Sequence, residues 1–147
     1  MVSQRHVKIP NQLILRIFQD EDGFEVENVG DAYAEFATYN VRTKITWGIL
    51  NPIKCRVIAT AEGNEEHHKG IDIHDITRLT QLCEVIWSGT GVNRCLTGMW
   101  TVWPLANQIV KNAVGMGDNT IAARIKGCSD TEDMVIYAID LQIMYYG

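Results

Sequence analysis

The chain has 147 residues, of which 46% are hydrophobic and 21% are charged, and its formal net charge is −5. This composition predicts one ordered domain with a single hydrophobic core. It argues against nucleic-acid binding, which needs a basic face for phosphate contacts, and no apolar stretch approaches the ~20 residues of a membrane-spanning helix.

The N-terminal segment lacks the apolar core that a signal peptide needs. Its apolar run, residues 13–18, is short and is interrupted by Arg16. We therefore expect an N-terminal arm over residues 1–12, a single domain over residues 13–147, and a protein made in a reducing cytoplasm.

The first forty residues are predicted to form short strands between turns. The run 13–18 ends at an acidic turn over residues 19–23, and residues 24–29 fit an edge strand or a loop. Residues 32–40 fit a strand, although alanine and glutamate also favour a helix there. The sequence leaves that choice open.

The middle of the chain predicts a hairpin followed by a helix. Residues 41–49 and 53–61 alternate between apolar and polar side chains, with an Asn-Pro turn between them. We expect these two runs to pair, with their basic side chains facing solvent. A polar loop follows over residues 62–70, and the one predicted helix spans residues 75–83, with an aspartate as its cap.

Three further strands are predicted beyond the helix. Residues 84–87 form the first of them, and a glycine-rich loop follows over residues 88–98. The second strand covers residues 99–103 and is stopped by Pro104, and residues 107–114 form the third.

The closing thirty residues carry the clearest pattern. Residues 118–127 are predicted to be an extended run that ends at a glycine. The last run alternates for six steps, and these side chains share one face: Val135, Tyr137, Ile139, Leu141, Ile143 and Tyr145. We expect the chain to end in an antiparallel strand pair.

Eight or nine strands and one short helix predict an all-β fold. Each sheet must bury one face, so the stable solutions are two packed sheets or a closed barrel. The long loops between strands favour a jelly-roll-like two-sheet sandwich of about eight strands.

Residues 65–75 hold the densest group of potential metal ligands. Carboxylates and imidazoles together can bind a transition metal, and carboxylates with carbonyls can bind calcium. The candidate ligands are His67, His68, Asp72 and His74. Their spacing matches no specific metal motif, and a solvated surface loop or a subunit contact explains the same composition.

No catalytic motif is predicted. Ser88 lies in Trp-Ser-Gly-Thr-Gly rather than in a nucleophile elbow, and Cys83 with a histidine such as His74 is a pairing that any chain with four of each allows. The glycine pairs are not followed by the helix start that holds a phosphate. We therefore expect a protein that is not an enzyme and that carries no cofactor.

The four tryptophans divide into two groups. Trp47 and Trp87 fall in apolar strand patterns and are predicted to be core residues. Trp100 and Trp103 are three positions apart on a predicted strand, so they point to opposite faces. At least one of these two is a candidate contact to a ligand or to another subunit, because indole offers a flat face for a sugar ring or a protein surface.

The four cysteines match no zinc signature, which favours free thiols, some of them buried. Cys95 and Cys128 both lie in turn-rich sequence. They are the first pair to test for a disulfide.

The closing third of the chain resembles known sandwich domains in three short segments. These segments are Trp103-Pro104-Leu105, Gly117-Asp118-Asn119-Thr120-Ile121 and Ala138-Ile139-Asp140-Leu141-Gln142-Ile143. They are similar to the closing strands of galactose-binding-like sandwiches, a group that includes many carbohydrate-binding modules. They also resemble those of virus and bacteriophage decoration, fibre and minor capsid subunits.

The resemblance and the absence of a predicted signal peptide together favour an assembly protein. We expect a virus or bacteriophage particle-surface subunit, located in the virion and assembled in the host cytoplasm, that forms a homo-oligomer or binds other particle subunits. The alternative is a carbohydrate-binding module or lectin-like domain that binds a glycan, and a small metal-dependent enzyme is a distant third.

Overall fold

A computed structural model describes residues 11–26, 29–44, 53–63, 69–77, 79–86, 91–103, 116–127 and 134–145. Within these ranges the chain forms β-strands and no helix. The strands are β1 (Asn11–Val26), β2 (Ala34–Lys44), β3 (Lys54–Gly63), β4 (Gly70–Asp75), β5 (Thr80–Ile86), β6 (Gly91–Thr97), β7 (Thr101–Val102), β8 (Met116–Lys126) and β9 (Met134–Tyr145).

The strands form two antiparallel sheets. Sheet I has the order β1-β9-β3-β6, with the short β7 also paired to β3, and sheet II has the order β2-β8-β4-β5. Among consecutive described strands, β4 and β5 alone pair with each other, and the others cross between sheets or between separate positions in one sheet. This is the strand order of a jelly roll, so the predicted all-β two-sheet sandwich is confirmed.

The core lies between the inner faces of the two sheets. On β3 the side chains of Cys55, Val57 and Ala59 are fully buried. Lys54 and Arg56, which alternate with them, face outward, as predicted. The same period of two operates in the other inner strands because successive side chains of a strand point to opposite faces. Sheet II contributes Ile71, Ile73, Ile121, Ala123 and Ile125, and β9 contributes Met134, Ile136, Ile139, Leu141 and Ile143.

The predicted hairpin of residues 41–49 and 53–61 is wrong. Residues 34–44 form one strand, β2, which settles the open choice at residues 32–40 in favour of strand. β2 pairs with β8 in sheet II, whereas β3 lies in sheet I. Alternation identified both strands, but it carries no information on which strand each one meets. Residues 45–52 lie outside the described part of the chain.

The predicted pairing of the last two strands is also wrong, although both strands exist. β8 lies between β2 and β4, and β9 lies between β1 and β3. The six-step alternation of β9 is broken by a bulge, since Ile136 pairs with Ala61 and Ala138 pairs with Thr60. Tyr137 is the extra residue, so Val135 and Tyr137 face outward while Ile139 faces the core.

The predicted helix over residues 75–83 is replaced by the hairpin of β4 and β5. β4 ends at Asp75, β5 begins at Thr80, and Leu79 in the turn is exposed with a left-handed φ of 54°. The segment is rich in β-branched residues, and β4 also pairs with β8, so tertiary pairing overrides the helical spacing.

Two predicted loops also belong to strands. The acidic turn over residues 19–23 is a bulged part of β1, in which the Asp22 amide donates to the Asp20 carboxylate at 3.0 Å and Gly23 has a φ of 87°. The glycine-rich loop over residues 88–98 contains β6, Gly91–Thr97. Bulges interrupt the alternation of apolar and polar residues, so the sequence pattern does not reveal such strands.

The ends of the predicted arm and domain are described in part. Asn11 and Gln12 belong to β1, while residues 1–10 and the predicted strand over residues 107–114 lie outside the described residues. The division into arm and domain stays a prediction. No helix in the described ranges has the length and hydropathy needed to cross a membrane.

Gly98 lies where β3 of sheet I and β5 of sheet II approach each other closely. A Cβ atom there would lie 2.6 Å from the Glu84 carbonyl oxygen of β5 and 3.2 Å from Val57 of β3. We expect Gly98→Ala to lower the free energy of unfolding by about 1–3 kcal/mol, because backbone must move to admit the methyl group. Urea denaturation measures this.

Gly30 is the matched control, since a Cβ atom there would have no heavy atom within 4 Å. Gly30→Ala should leave the unfolding midpoint unchanged or slightly raised. Equal midpoints for the two variants would contradict the tight approach at Gly98.

Candidate functional site

The outer face of sheet II carries a buried ion pair. Asp72 of β4 has no exposed surface although it points away from the core. Arg124 of β8 donates to it from Nε at 2.9 Å and also from Nη2, and the Gln81 amide of β5 donates to it at 2.9 Å. This hydrogen bond to Asp72 raises the pKa of Arg124. The carboxylate therefore links three neighbouring strands.

Tyr33 covers this ion pair. Its ring lies 5.0 Å from the Arg124 guanidinium carbon and 4.7 Å from the Lys126 amino nitrogen. Its hydroxyl donates to the Glu84 carboxylate at 2.9 Å, and a Cβ atom at Gly70 would lie 2.7 Å from that hydroxyl. Burial, followed by the hydrogen bond to Glu84, raises the pKa of Tyr33. These contacts form a closed network whose polar groups bond to one another.

The predicted metal ligands are only partly described. His67 and His68 lie outside the described residues. Asp72 is occupied by Arg124 and Gln81, and His74 lies two residues further along β4 on the same outer face. No group of three potential metal ligands occurs in the described ranges. The metal site stays a prediction, and a metal at Asp72 would have to displace Arg124.

The surroundings of His74 favour its neutral form. Burial is the main cause that lowers its pKa, and the nearby Arg124 charge acts in the same direction. Its Nδ1 atom is buried and has no hydrogen-bond partner in the described part of the chain. Cys83 faces the core opposite Ile73, whereas His74 faces outward, so these two residues do not form a nucleophile pair.

The outer face of sheet I has an ion pair of a different kind. Arg16 of β1 donates to both carboxylate oxygens of Asp140 on β9, at 2.6 and 3.1 Å. The Arg16 side chain is 50% exposed and that of Asp140 is 13% exposed. Water competes for this pair, so its expected contribution to stability is small.

Beside this pair lies a row of polar side chains that ends at a tryptophan. The Arg56 guanidinium carbon is 4.4 Å from the Trp100 ring centroid, and Arg56 Nε donates to the Gln142 amide oxygen at 2.7 Å. Gln142 in turn donates to the Gln12 amide oxygen at 2.9 Å. We call Gln12, Lys54, Arg56, Trp100 and Gln142 the Trp100 patch.

The Trp100 patch combines an aromatic ring with accessible polar groups. Trp100 is half-buried, and Gln12 is exposed at the edge strand. Gln142 is only 6% exposed, and it holds Arg56 and Gln12 in place. Such an arrangement provides an apolar face together with hydrogen-bond donors and acceptors.

Trp103 is not part of the patch. Trp103 is 1% exposed in the core, and its backbone amide donates to the Ile53 carbonyl at 2.7 Å. Trp100 and Trp103 therefore lie on opposite sides of sheet I, and of these two residues Trp100 is the more accessible. Trp47 and Trp87 lie outside the described residues.

A groove of about 490 Å³ lies beside the patch, between β5 and the segment that joins β6 to β7. Met99, which follows Gly98 there, is 84% exposed. Cys83 also lines the groove, but a hydrogen bond with Cys55 and burial raise its pKa, so it is a neutral thiol. Cys95 is an exposed free thiol, and Cys128 lies outside the described residues, so their pairing stays a prediction.

The sequence offered Trp100 and Trp103 as candidate contact residues but did not indicate the partners of Trp100. Arg56 was expected on the solvent face of a strand, yet nothing in the sequence links it to Gln142 or Gln12. Those contacts depend on β9 lying between β1 and β3. The alternation in β9 predicts that Gln142 points to the outer face, away from the core side chains on either side of it in the sequence. That alternation is the one feature of the sequence that indicates the position of Gln142.

The fold and the patch define a jelly-roll sandwich with an accessible aromatic and polar outer face. No protein-family model matches the sequence, and no curated protein matches it. Among solved structures, the chain is similar to the CBM36-1 domain of a multidomain xylanase from the hindgut metagenome of Trinervitermes trinervoides. The identity is 11%, the TM-score is 0.43, and the match covers 89% of this chain and 96% of that chain. A likeness of this size bears on neither ligand nor activity.

The two arginine–aspartate pairs offer a matched test of burial. The Arg124 side chain is 20% exposed and that of Asp72 is fully buried. We expect Arg124→Leu to lower the free energy of unfolding by about 3–5 kcal/mol, because it leaves a buried carboxylate without its cation. Arg16→Leu should lower the free energy of unfolding by at most about 1 kcal/mol, since Arg16 and Asp140 are both more accessible to water than the buried pair.

Urea denaturation at neutral pH with a constant m-value gives both numbers. Similar losses of stability in the two variants would contradict this expectation. They would show that the Asp72 carboxylate becomes solvated when Arg124 is removed.

Proposed function

We propose that this chain is a non-enzymatic binding domain that recognises carbohydrate through the Trp100 patch. The observation that carries the proposal is the half-buried Trp100 ring, held against Arg56 at 4.4 Å on the outer face of sheet I. Rigid sheet strands position the groups around it, which favours a preformed site over an induced one.

The chemistry of the patch suits a sugar ring. A pyranose has apolar C–H faces that pack on an indole, and its hydroxyls both donate and accept hydrogen bonds. Arg56 supplies donors, and the exposed Gln12 supplies an amide at the other end of the row. The hydrogen bonds through Gln142 limit the side-chain entropy that binding would otherwise cost.

The described residues support binding rather than catalysis. The Cys83 thiol is neutral and faces the core, and His74 is on the opposite face of sheet II. The Asp72 carboxylate is bonded to Arg124 and Gln81, and Asp140 is bonded to Arg16. A general acid or base needs a free, positioned group, and these groups are already engaged.

The test is a glycan array followed by affinity electrophoresis on the polysaccharides that give a signal. We expect Trp100→Ala to weaken binding about tenfold or more, because the stacking face is lost. Trp100→Phe should retain part of the affinity, since it keeps an aromatic ring.

Met99→Ala is the control, since Met99 is the exposed neighbour of Trp100 and lies outside the patch. An array without any signal, or equal binding by the Trp100→Ala and native proteins, would end the proposal.

A second candidate function is assembly, which the edge strand β1 favours. β1 is 16 residues long and pairs only with β9 among the described strands. Leu13, Ile14 and Phe24 along it are 37%, 57% and 47% exposed. A long edge strand with exposed apolar side chains is a template for pairing with another chain. In this role the protein is a particle-surface subunit of a virion assembled in the host cytoplasm.

Ile14→Lys tests this second function, because a charge on an edge strand opposes pairing between chains. We expect the native protein to be an oligomer by light scattering and native mass spectrometry, and Ile14→Lys to be a monomer. Leu79→Lys is the control, since Leu79 is 80% exposed in the turn between β4 and β5, away from β1. A native protein that stays monomeric at high concentration would exclude assembly through β1.

A further inference from the structure

The Trp100 patch carries positive charge that no described residue neutralises. Lys54 and Arg56 face outward two positions apart on β3, which separates their backbones by about 6.5–7 Å. The residues paired with Lys54 are Val102 and Met144, and the one paired with Arg56 is Gln142. None of these neighbours is acidic.

Two acidic residues of sheet I are engaged elsewhere. Asp140 is bonded to Arg16 through both oxygens, and Glu62 at the far end of β3 accepts the Tyr137 hydroxyl at 3.0 Å. Arg56 and Lys54 therefore have no ionic partner in the described part of the chain. The charge at this end of the outer face is locally positive although the whole protein has a formal net charge of −5.

The Arg56 guanidinium is also fixed in orientation. Its Nε donates to Gln142 at 2.7 Å, and its carbon lies 4.4 Å from the Trp100 ring centroid. A guanidinium has five N–H donors, and one of them is used here. The terminal amino groups make no hydrogen bond within the described ranges. A fixed guanidinium of this kind suits an oxyanion, two of whose oxygens accept parallel hydrogen bonds from it.

We propose that the Trp100 patch binds an anionic sugar, whose ring packs on Trp100 and whose acidic group pairs with Arg56 and Lys54. This inference rests on the carbohydrate-binding function proposed above and names its substrate class. The hydroxyls of a neutral sugar can accept hydrogen bonds from the two cations but bring no opposite charge, whereas an anionic sugar offsets the desolvation cost of covering them. The acidic group is a carboxylate, as in a uronic acid, or a sulfate ester, since both present the same charged oxygens.

The experiment compares three polymers on the whole protein: polygalacturonate as the carboxylated sugar, carrageenan as the sulfated sugar and galactan as the neutral one. We expect the native protein to bind one of the two anionic polymers at least about tenfold more tightly than galactan. The anionic polymer that binds more tightly identifies the acidic group as a carboxylate or as a sulfate ester. Isothermal titration at low and at physiological salt measures the affinities.

Arg56→Gln should remove this preference, because affinity for the anionic polymer should fall by more than affinity for galactan when the interaction with the acidic group is lost. Lys126→Gln is the charge-matched control, since it removes one positive charge from the outer face of sheet II, where Lys126 lies against Tyr33. That variant should keep the preference. Thermal melting establishes that both variants are folded.

Two results overturn the inference while carbohydrate binding stands. One is equal affinity of the native protein for galactan and for both anionic polymers. The other is an equal loss of the preference in Arg56→Gln and Lys126→Gln. That result would attribute the preference to the electrostatic field of the whole protein and not to the Trp100 patch. Failure of all three polymers together with a silent glycan array would instead reject the proposed function itself.

Discussion

The burial of two inner sheet faces against each other is the constraint on which the rest of this structure depends. β8 and β9 each lie between two other strands of their own sheet, so their backbone groups are satisfied and their inward side chains meet in a dry layer. Trp103 fills the same layer. Because one face of every central strand is committed to this core, the charged side chains of Arg56, Asp72 and Arg124 point to the outer faces. Asp75 is an exception, since it is fully buried opposite the core residue Ile121.

The two outer faces use their charges in different ways. On sheet II, Tyr33 covers the pair of Asp72 and Arg124, and the exclusion of water makes that pair structurally important. On sheet I, Arg56 lies against Trp100, and its terminal amino groups have no hydrogen-bond partner among the described residues. The same residue types therefore hold the fold together on one face and form an accessible site on the other, and the difference is whether solvent reaches them.

Several features could be predicted from particular residues. Alternation from Ile53 to Ala61 indicated a strand with Lys54 and Arg56 outward, and the structure confirms it. The position of Trp100 on the opposite side from Trp103 also followed from strand geometry. The helix at residues 75–83 failed because pairing of β4 with β8 outweighs a local helical pattern.

The sequence by itself determined the all-β class, the outward direction of Lys54 and Arg56, and the candidacy of Trp100, since these depend on the period of two within one strand. Only the tertiary structure decided which strands are neighbours. It separated β8 from β9, inserted β9 between β1 and β3, and so brought Gln12 and Gln142 to Arg56. Those contacts span 86 and 130 positions of the chain. A local hydrophobic pattern specifies the face of a strand, whereas the partner of a strand depends on how the whole core packs.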